Sequence, residues 1–183
     1  MRVITGFLKN RRLIAPEGYD VRPTPDRVKE GIFSAIQFDI EGRRILDLFA
    51  GSGQLGIEAL SRGAEFAVFV DSSKESLKAV KSNIEACGLQ SKSRVLQSDY
   101  SSFCATCRDT FDYAFLDPPY SAGILLSAVK AVAPLMSDYG TIICEHPPEV
   151  TLEPIIGDFQ LERTYRYGRV LVSMYKKKEN LND

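Results

Sequence analysis

The residues best suited to chemistry form two groups far apart in the chain: Asp47 with Gly51, Gly53 and Gly56, and Asp117-Pro118-Pro119-Tyr120. The glycines fit G-x-G-x-x-G, a spacing that lets backbone approach a ligand and lets a helix pack closely on the preceding strand. A dinucleotide site turns such a loop toward a pyrophosphate, which a carboxylate beside it would repel. Asp47 therefore favours a cationic ligand, the alternative being that it only caps backbone amides in the turn. In the second group, two consecutive prolines fix φ and remove two amide donors. The Asp117 carboxylate and the Pro118 carbonyl are left as rigid acceptors. Acceptors suit an amine, and Tyr120 could stack on the ring bearing it; the alternative is an ordinary rigid turn.

S-adenosylmethionine carries an ammonium and a sulfonium and no phosphate, so it matches an acid followed by a glycine loop. An exocyclic base amine is a poor nucleophile because its lone pair is delocalised into the ring. Hydrogen bonds from both its protons to Asp117 and Pro118 would hold it in line with the methyl group and free that lone pair. The gain would come from positioning and electrostatics, with the sulfonium supplying the methyl.

These residues need a scaffold that brings them to one edge. Ile45, Leu46 and Leu48 read as a buried strand before the glycine turn, and Leu55, Ile57, Ala59 and Leu60 as the helix after it. Phe66 to Val70 is a second strand ending at Asp71, placed to meet ribose hydroxyls or to cap the next helix, Lys74 to Cys87. Arg94 to Gln97 is a third strand running into Ser98 and Asp99, where an adenine edge could lie. Phe111 to Leu116 is a fourth, a helix spans roughly 124–134, and Thr141 to Cys144 is a fifth with Glu145 at its end. Phe159 to Tyr167 and Val170 to Tyr175 alternate as an edge hairpin turning at Gly168. The pattern predicts an α/β fold: a seven-stranded, mostly parallel, doubly wound sheet with an antiparallel edge hairpin. Asp47, Asp71, Asp99, Asp117 and Glu145 all fall at carboxyl ends of strands, where such sheets bind ligands.

Before this unit, Arg2 to Gly6 and Arg12 to Ala15 read as a small β-hairpin. Thr24 is a candidate N-cap with Pro25 at the first helical position. The predicted organisation is an N-terminal extension over 1–21, one domain over 22–176 and a polar tail over 177–183. With 44% hydrophobic and 26% charged residues, the chain has the make-up of a soluble globular protein. It lacks both an apolar run of about 20 residues and a signal-peptide core, so a cytoplasmic location and no membrane contact are expected. Cys87, Cys104, Cys107 and Cys144 form no disulfide framework. Cys104 and Cys107 lack a second ligand pair, His146 being the one histidine, so no metal is expected. Net charge is -1, yet residues 1–30 hold seven basic and four acidic side chains. Arg2, Lys9, Arg11, Arg12, Arg22 and Arg27 could engage phosphates, or form a solvated face.

Taken together, the sequence resembles class I S-adenosylmethionine-dependent methyltransferases and, more closely, the RsmD family of 16S ribosomal RNA (guanine-N2)-methyltransferases. The likeness is carried by Gly6, Arg11-Arg12, Pro16-Glu17-Gly18, Arg22-Pro23-Thr24, Asp26-Arg27-Val28, Asp47 to Gly53, Gly56 to Ala64 and Leu116 to Tyr120. The resemblance implies a Rossmann-like fold and methyl transfer from S-adenosylmethionine, leaving S-adenosylhomocysteine, to the exocyclic N2 of one guanine in that RNA. It implies that Asp47, Phe49, Ala50, Gly51, Ser52 and Gly53 shape the methionine pocket, and that Asp71 holds the ribose. Ser98 and Asp99 would flank the adenine, Asp117, Pro118, Pro119 and Tyr120 would hold the guanine, and Arg22 and Thr24 would lie near cofactor or RNA. Its partner would be 16S rRNA, free or in an assembling small subunit, met by a monomer. Pro25, Gln54 and Asp71 stand where serine, a small residue and glutamate are commoner in the family.

Other classes fit less well. A nicotinamide oxidoreductase shares the glycines and Asp71 but has no use for Asp47 or a rigid acceptor turn. Glutamine-directed protein methyltransferases carry asparagine where Asp117 stands. DNA amino-methyltransferases usually need a separate recognition domain, and a non-catalytic RNA-binding module would not need Asp117.

Overall fold

Alternating strands and helices close into one layered sheet in a computed structural model, which describes residues 1–16, 24–119 and 123–178. The described residues form eight strands: β1 (Arg44–Leu48), β2 (Phe66–Asp71), β3 (Ser93–Gln97), β4 (Phe111–Leu116), β5 (Met136–His146), β6 (Ile155–Ile156), β7 (Phe159–Tyr167) and β8 (Val170–Lys177). Their order is β3-β2-β1-β4-β5-β8-β7-β6. The first five are parallel to one another, whereas β8 pairs antiparallel with β5 and with β7. The eighth strand, beyond the seven expected, is the two-residue β6, which follows Pro154 and pairs with the start of β7.

Both faces of the central strands are apolar, as parallel sheets covered on two sides require. Ile45, Phe69, Phe115 and Ile143 pack toward α1 (Asp26–Ile36), α2 (Gln54–Ser61) and α3 (Lys74–Ala86). Leu46, Val68, Leu116 and Cys144 pack toward α4 (Tyr100–Thr106) and α5 (Leu125–Val132). Among the described residues, no helix is long and apolar enough to cross a membrane.

The expected N-terminal hairpin is short: Arg2 and Arg12 form an antiparallel bridge, and the amides of Val3, Asn10 and Leu13 donate to the carbonyls of Arg11, Val3 and Met1. Other backbone donors of this segment reach α2. The amides of Ile4 and Thr5 donate to the Glu58 carboxylate at 2.7 and 3.0 Å, and that of Leu8 to the Ser61 hydroxyl at 3.0 Å. Gly6 lies so close to α2 that a Cβ there would sit 1.8 Å from the Ser61 carbonyl oxygen. The extension is thus laid across α2, with Val3 and Leu13 in the core. Lys29, fully buried, donates from Nζ to the Arg2 carbonyl at 2.6 Å. The cap of α1 also differs from expectation. Pro25 occupies the N-cap position with no side-chain cap, because Thr24 is turned inward and buried.

The glycine turn works as its spacing suggests. Gly51 and Gly53 have φ of +57° and +76°, values that favour glycine. At Gly56 a Cβ would lie 2.4 Å from the Phe69 ring and 3.1 Å from Asp47 Oδ2. Gly56→Ala is expected to destabilise the fold by roughly 1–3 kcal/mol through overpacking. A lowered denaturant midpoint at unchanged m-value would show it.

Candidate functional site

Strand register decides which of the acids meet. Leu48 of β1 is level with Val70 of β2 and with Leu116 of β4, and Leu116 is level with Cys144 of β5. The segments that follow, 49–53, 71–73, 117–119 and 145–147, therefore share one rim. Asp47 stands just below it, level with Phe69 and Phe115.

Asp47 is buried, and its Oδ2 accepts from the Gly56 amide at 2.9 Å. Burial pushes its carboxyl up to about 7; the Gly56 amide opposes this and the neighbouring Asp71 charge adds to it. The amide bond realises the capping role, but a carboxylate has further lone pairs. The turn above it is wound tightly. Phe49 has φ +72°, and the amides of Phe49 and Ala50 both donate to the Val70 carbonyl at 3.0 Å. Ser52 is buried and its carbonyl accepts from Asn83 Nδ2 at 2.9 Å.

Asp71 braces the same turn. Its Oδ2 accepts from the Gly51 amide at 2.9 Å and its Oδ1 from the Ser73 amide at 2.8 Å. The helix cap falls to Ser73, whose hydroxyl accepts from the Ser76 amide at 3.2 Å. Asp71 is thus a half-buried carboxylate fixed by backbone, with lone pairs left for hydroxyl donors. Beside it, the Ser98 amide donates to the Asp71 carbonyl at 3.1 Å. Asp99 caps α4, accepting from the Ser102 amide at 3.0 Å and the Ser101 hydroxyl at 2.7 Å. Those bonds, the Ser102 amide first, hold its exposed carboxyl well below the usual carboxylate range.

Across the rim, Asp117 is half-buried, Pro118 buried and Pro119 exposed. Burial raises the Asp117 carboxyl well above its ordinary value, the charges of Glu145 and then Asp47 raise it further, and Thr24 favours the ionised form by a smaller amount. The Thr24 hydroxyl lies on this side of Asp117 yet makes no bond of hydrogen-bond geometry. Asp117 thus feels the charge of two other carboxylates, an arrangement that a cation would relieve. The sequence marked Glu145 only as an acid at a strand end. Its meeting with Asp117 depends on the pairing of β4 with β5, which no local pattern reveals.

The remaining expected residues are spread more widely. Arg2 pairs with Asp26 at 3.1 Å. Arg27 is exposed, near Tyr167 of β7. Lys9 and Arg12 are exposed, and Arg11 donates to the Ala86 carbonyl at the C-terminal end of α3. Because α3 starts beside Asp71 and spans 13 residues, Arg11 lies about 20 Å from the rim. Arg22 and Tyr120 fall outside the described residues. The cysteines are all free thiols, and burial, with Cys107 next, pushes Cys104 up to about 11. Among the described residues no group of three or more His, Cys, Asp or Glu is placed to hold a metal ion.

Comparison with known proteins adds to this geometry. A family model described as "Conserved hypothetical protein 95" matches residues 1–176. A protein of Bacillus subtilis (strain 168) named "Putative rRNA methyltransferase YlbH" is 43% identical over 187 residues, covering 97% of this chain and 100% of that protein. "Ribosomal RNA small subunit methyltransferase D" of Escherichia coli (strain K12) is 31% identical over 179 residues, covering 97% and 90%. The solved structure of "Putative methyltransferase yhhF from Escherichia coli" superposes with a TM-score of 0.85 at 30% identity, covering 97% of this chain and 98% of that one.

Proposed function

This chain belongs to the conserved hypothetical protein 95 family, that of the RsmD-type methyltransferases, and from that premise we propose that it methylates small-subunit ribosomal RNA at the exocyclic N2 of a guanine. The observation that carries the reading is the rim itself: a glycine turn over the buried Asp47 facing the acceptors of Asp117 and Pro118. The donor set suits S-adenosylmethionine. Asp47 is a buried acid lacking a counter-cation among its described contacts, and Asp71 is a fixed acceptor beside a turn with no basic side chain. When bound, S-adenosylmethionine supplies an electrophilic methyl on a cationic sulfur and departs as S-adenosylhomocysteine.

Asp47 would offset the ligand's positive charge, and Asp71 would accept from its ribose hydroxyls. Asp117 and the Pro118 carbonyl would take one N2 proton each, aligning the nitrogen lone pair with the methyl carbon. Methylated N2 would be acidic, and Asp117 would receive its proton, leaving the nitrogen neutral. A carboxyl raised by burial is a better acceptor than an ordinary one. The exposed Arg27 and the Arg166 and Arg169 side chains of the β7–β8 hairpin suit RNA phosphates near the site. The β7–β8 turn stands at the same rim, because Leu171 pairs with His146.

The deciding experiment compares ribosomal RNA modification maps from cells with and without the gene. We expect one N2-methylguanosine to disappear from the small-subunit RNA of the deletion strain and to return with the intact gene. An identical map in both strains would remove the proposed substrate.

A further inference from the structure

We propose that Glu145 accepts the ring N1–H of the target base and is thereby the residue that selects guanine, an inference that rests on the methyl-transfer reading above. Glu145 follows Cys144 as Asp117 follows Leu116, and Cys144 is paired with Leu116. The two acids are therefore level on adjacent strands, which lie about 4.8 Å apart. Side chains alternate between faces along a strand. Two residues earlier, Phe115 and Ile143 both pack on the face that carries Asp47 and α1, so Asp117 and Glu145 project to that same face. The Glu145 charge acts on Asp117 more strongly than that of Asp47.

Counting donors shows what a second acid at this spot can do. Holding an exocyclic amine takes two acceptors, and the Asp117 carboxylate with the Pro118 carbonyl supplies them. A third acceptor beside them suits a base with a third N–H next to its amine. Guanine has one, at N1, adjoining the C2 amine. Adenine and cytosine place a bare ring nitrogen beside theirs, and a carboxylate would repel that lone pair. Burial of Glu145, only 6% exposed, strengthens both the preference and the penalty. Pro118 and Glu145 also border a cavity of about 270 Å³, which lies toward α5 with Leu125 and Val150 in its wall.

The test uses substrate RNA ligated around the mapped nucleotide, carrying there either guanine or 2-aminopurine, which keeps the C2 amine but has no proton on N1. The wild-type protein should favour guanine by roughly 100-fold or more in kcat/KM, as sites built around a donor reject analogues lacking it. In Glu145→Gln, an amide of the same size can donate to the bare N1, and the preference should fall to within about tenfold, with S-adenosylhomocysteine affinity unchanged. A wild-type protein that uses both bases equally overturns the inference without any variant. A Glu145→Gln protein that keeps the wild-type ratio overturns it while leaving the methyltransferase reading intact. Failure of the wild-type protein on the guanine RNA overturns both.

Discussion

Asp117→Ala is expected to lower methyl incorporation into ribosomal RNA by about 10³-fold while leaving S-adenosylhomocysteine binding within a few-fold of the native protein. The split follows from position. Asp117 stands on the β4 side of the rim, whereas the turn, Asp47 and Asp71 are held by β1, β2 and α2 through their own backbone bonds. The variant should also unfold at a higher temperature than the native protein without ligand at neutral pH. Asp117 is crowded by Glu145 and Asp47, and removing one of three like charges relieves the other two. Unchanged incorporation of labelled methyl groups would rule out a role for Asp117 in the transfer.

Asp47→Asn should separate charge from geometry. The amide can still accept from the Gly56 N–H, so the turn is kept and only the anion is lost. A loss of a buried charge partner predicts roughly 100-fold weaker S-adenosylmethionine binding by calorimetry. Stability without ligand should move the other way. The Asp47 carboxyl is raised from 3.8 to about 7 in the folded protein, so the fold favours its protonated form. That contribution is fully present below about pH 4, is lost as pH rises toward 7, and above 7 leaves a cost on the order of 4 kcal/mol for the ionised acid. The variant should therefore match the native protein in acid and exceed its melting temperature increasingly between pH 4 and 7, with the full gap above. A gap that stays constant across that range would show that Asp47 carries no such charge penalty.

The elements that position the site were legible because their signals are local. Apolar runs such as 66–70 and 111–116, each ending in an acid, become β2 and β4 with their boundaries kept or shifted by one residue. The C-terminal hairpin turns at Gly168 as its alternation predicts and forms the antiparallel edge region of the sheet, β8 pairing with β5. What escaped depends on distant partners. Arg2 to Ala15 has the alternation of a hairpin, but nothing nearby discloses that Glu58 and Ser61 take its amides. Lys29 follows Val28 in α1 and is fully buried on the Arg2 carbonyl, a partner 27 positions away. Thr24 has the composition of a cap and is instead turned toward Asp117. Glu145 belongs with these: its meaning comes from which strand lies next to it.

The place of β8 between β5 and β7 has a consequence for how the molecule is made. Translation delivers residues 170–177 after every other described strand, yet they form an interior strand whose absence would leave one side of β5 bare. Residues 4–14 wait as well, since their docking partners at Glu58, Ser61, Asn83 and Ala86 are synthesised 53 to 75 positions later. A nascent chain halted before Val170 would carry an open sheet edge prone to pairing with another chain. Closure of this sheet therefore waits for β8, the last of the described strands in chain order.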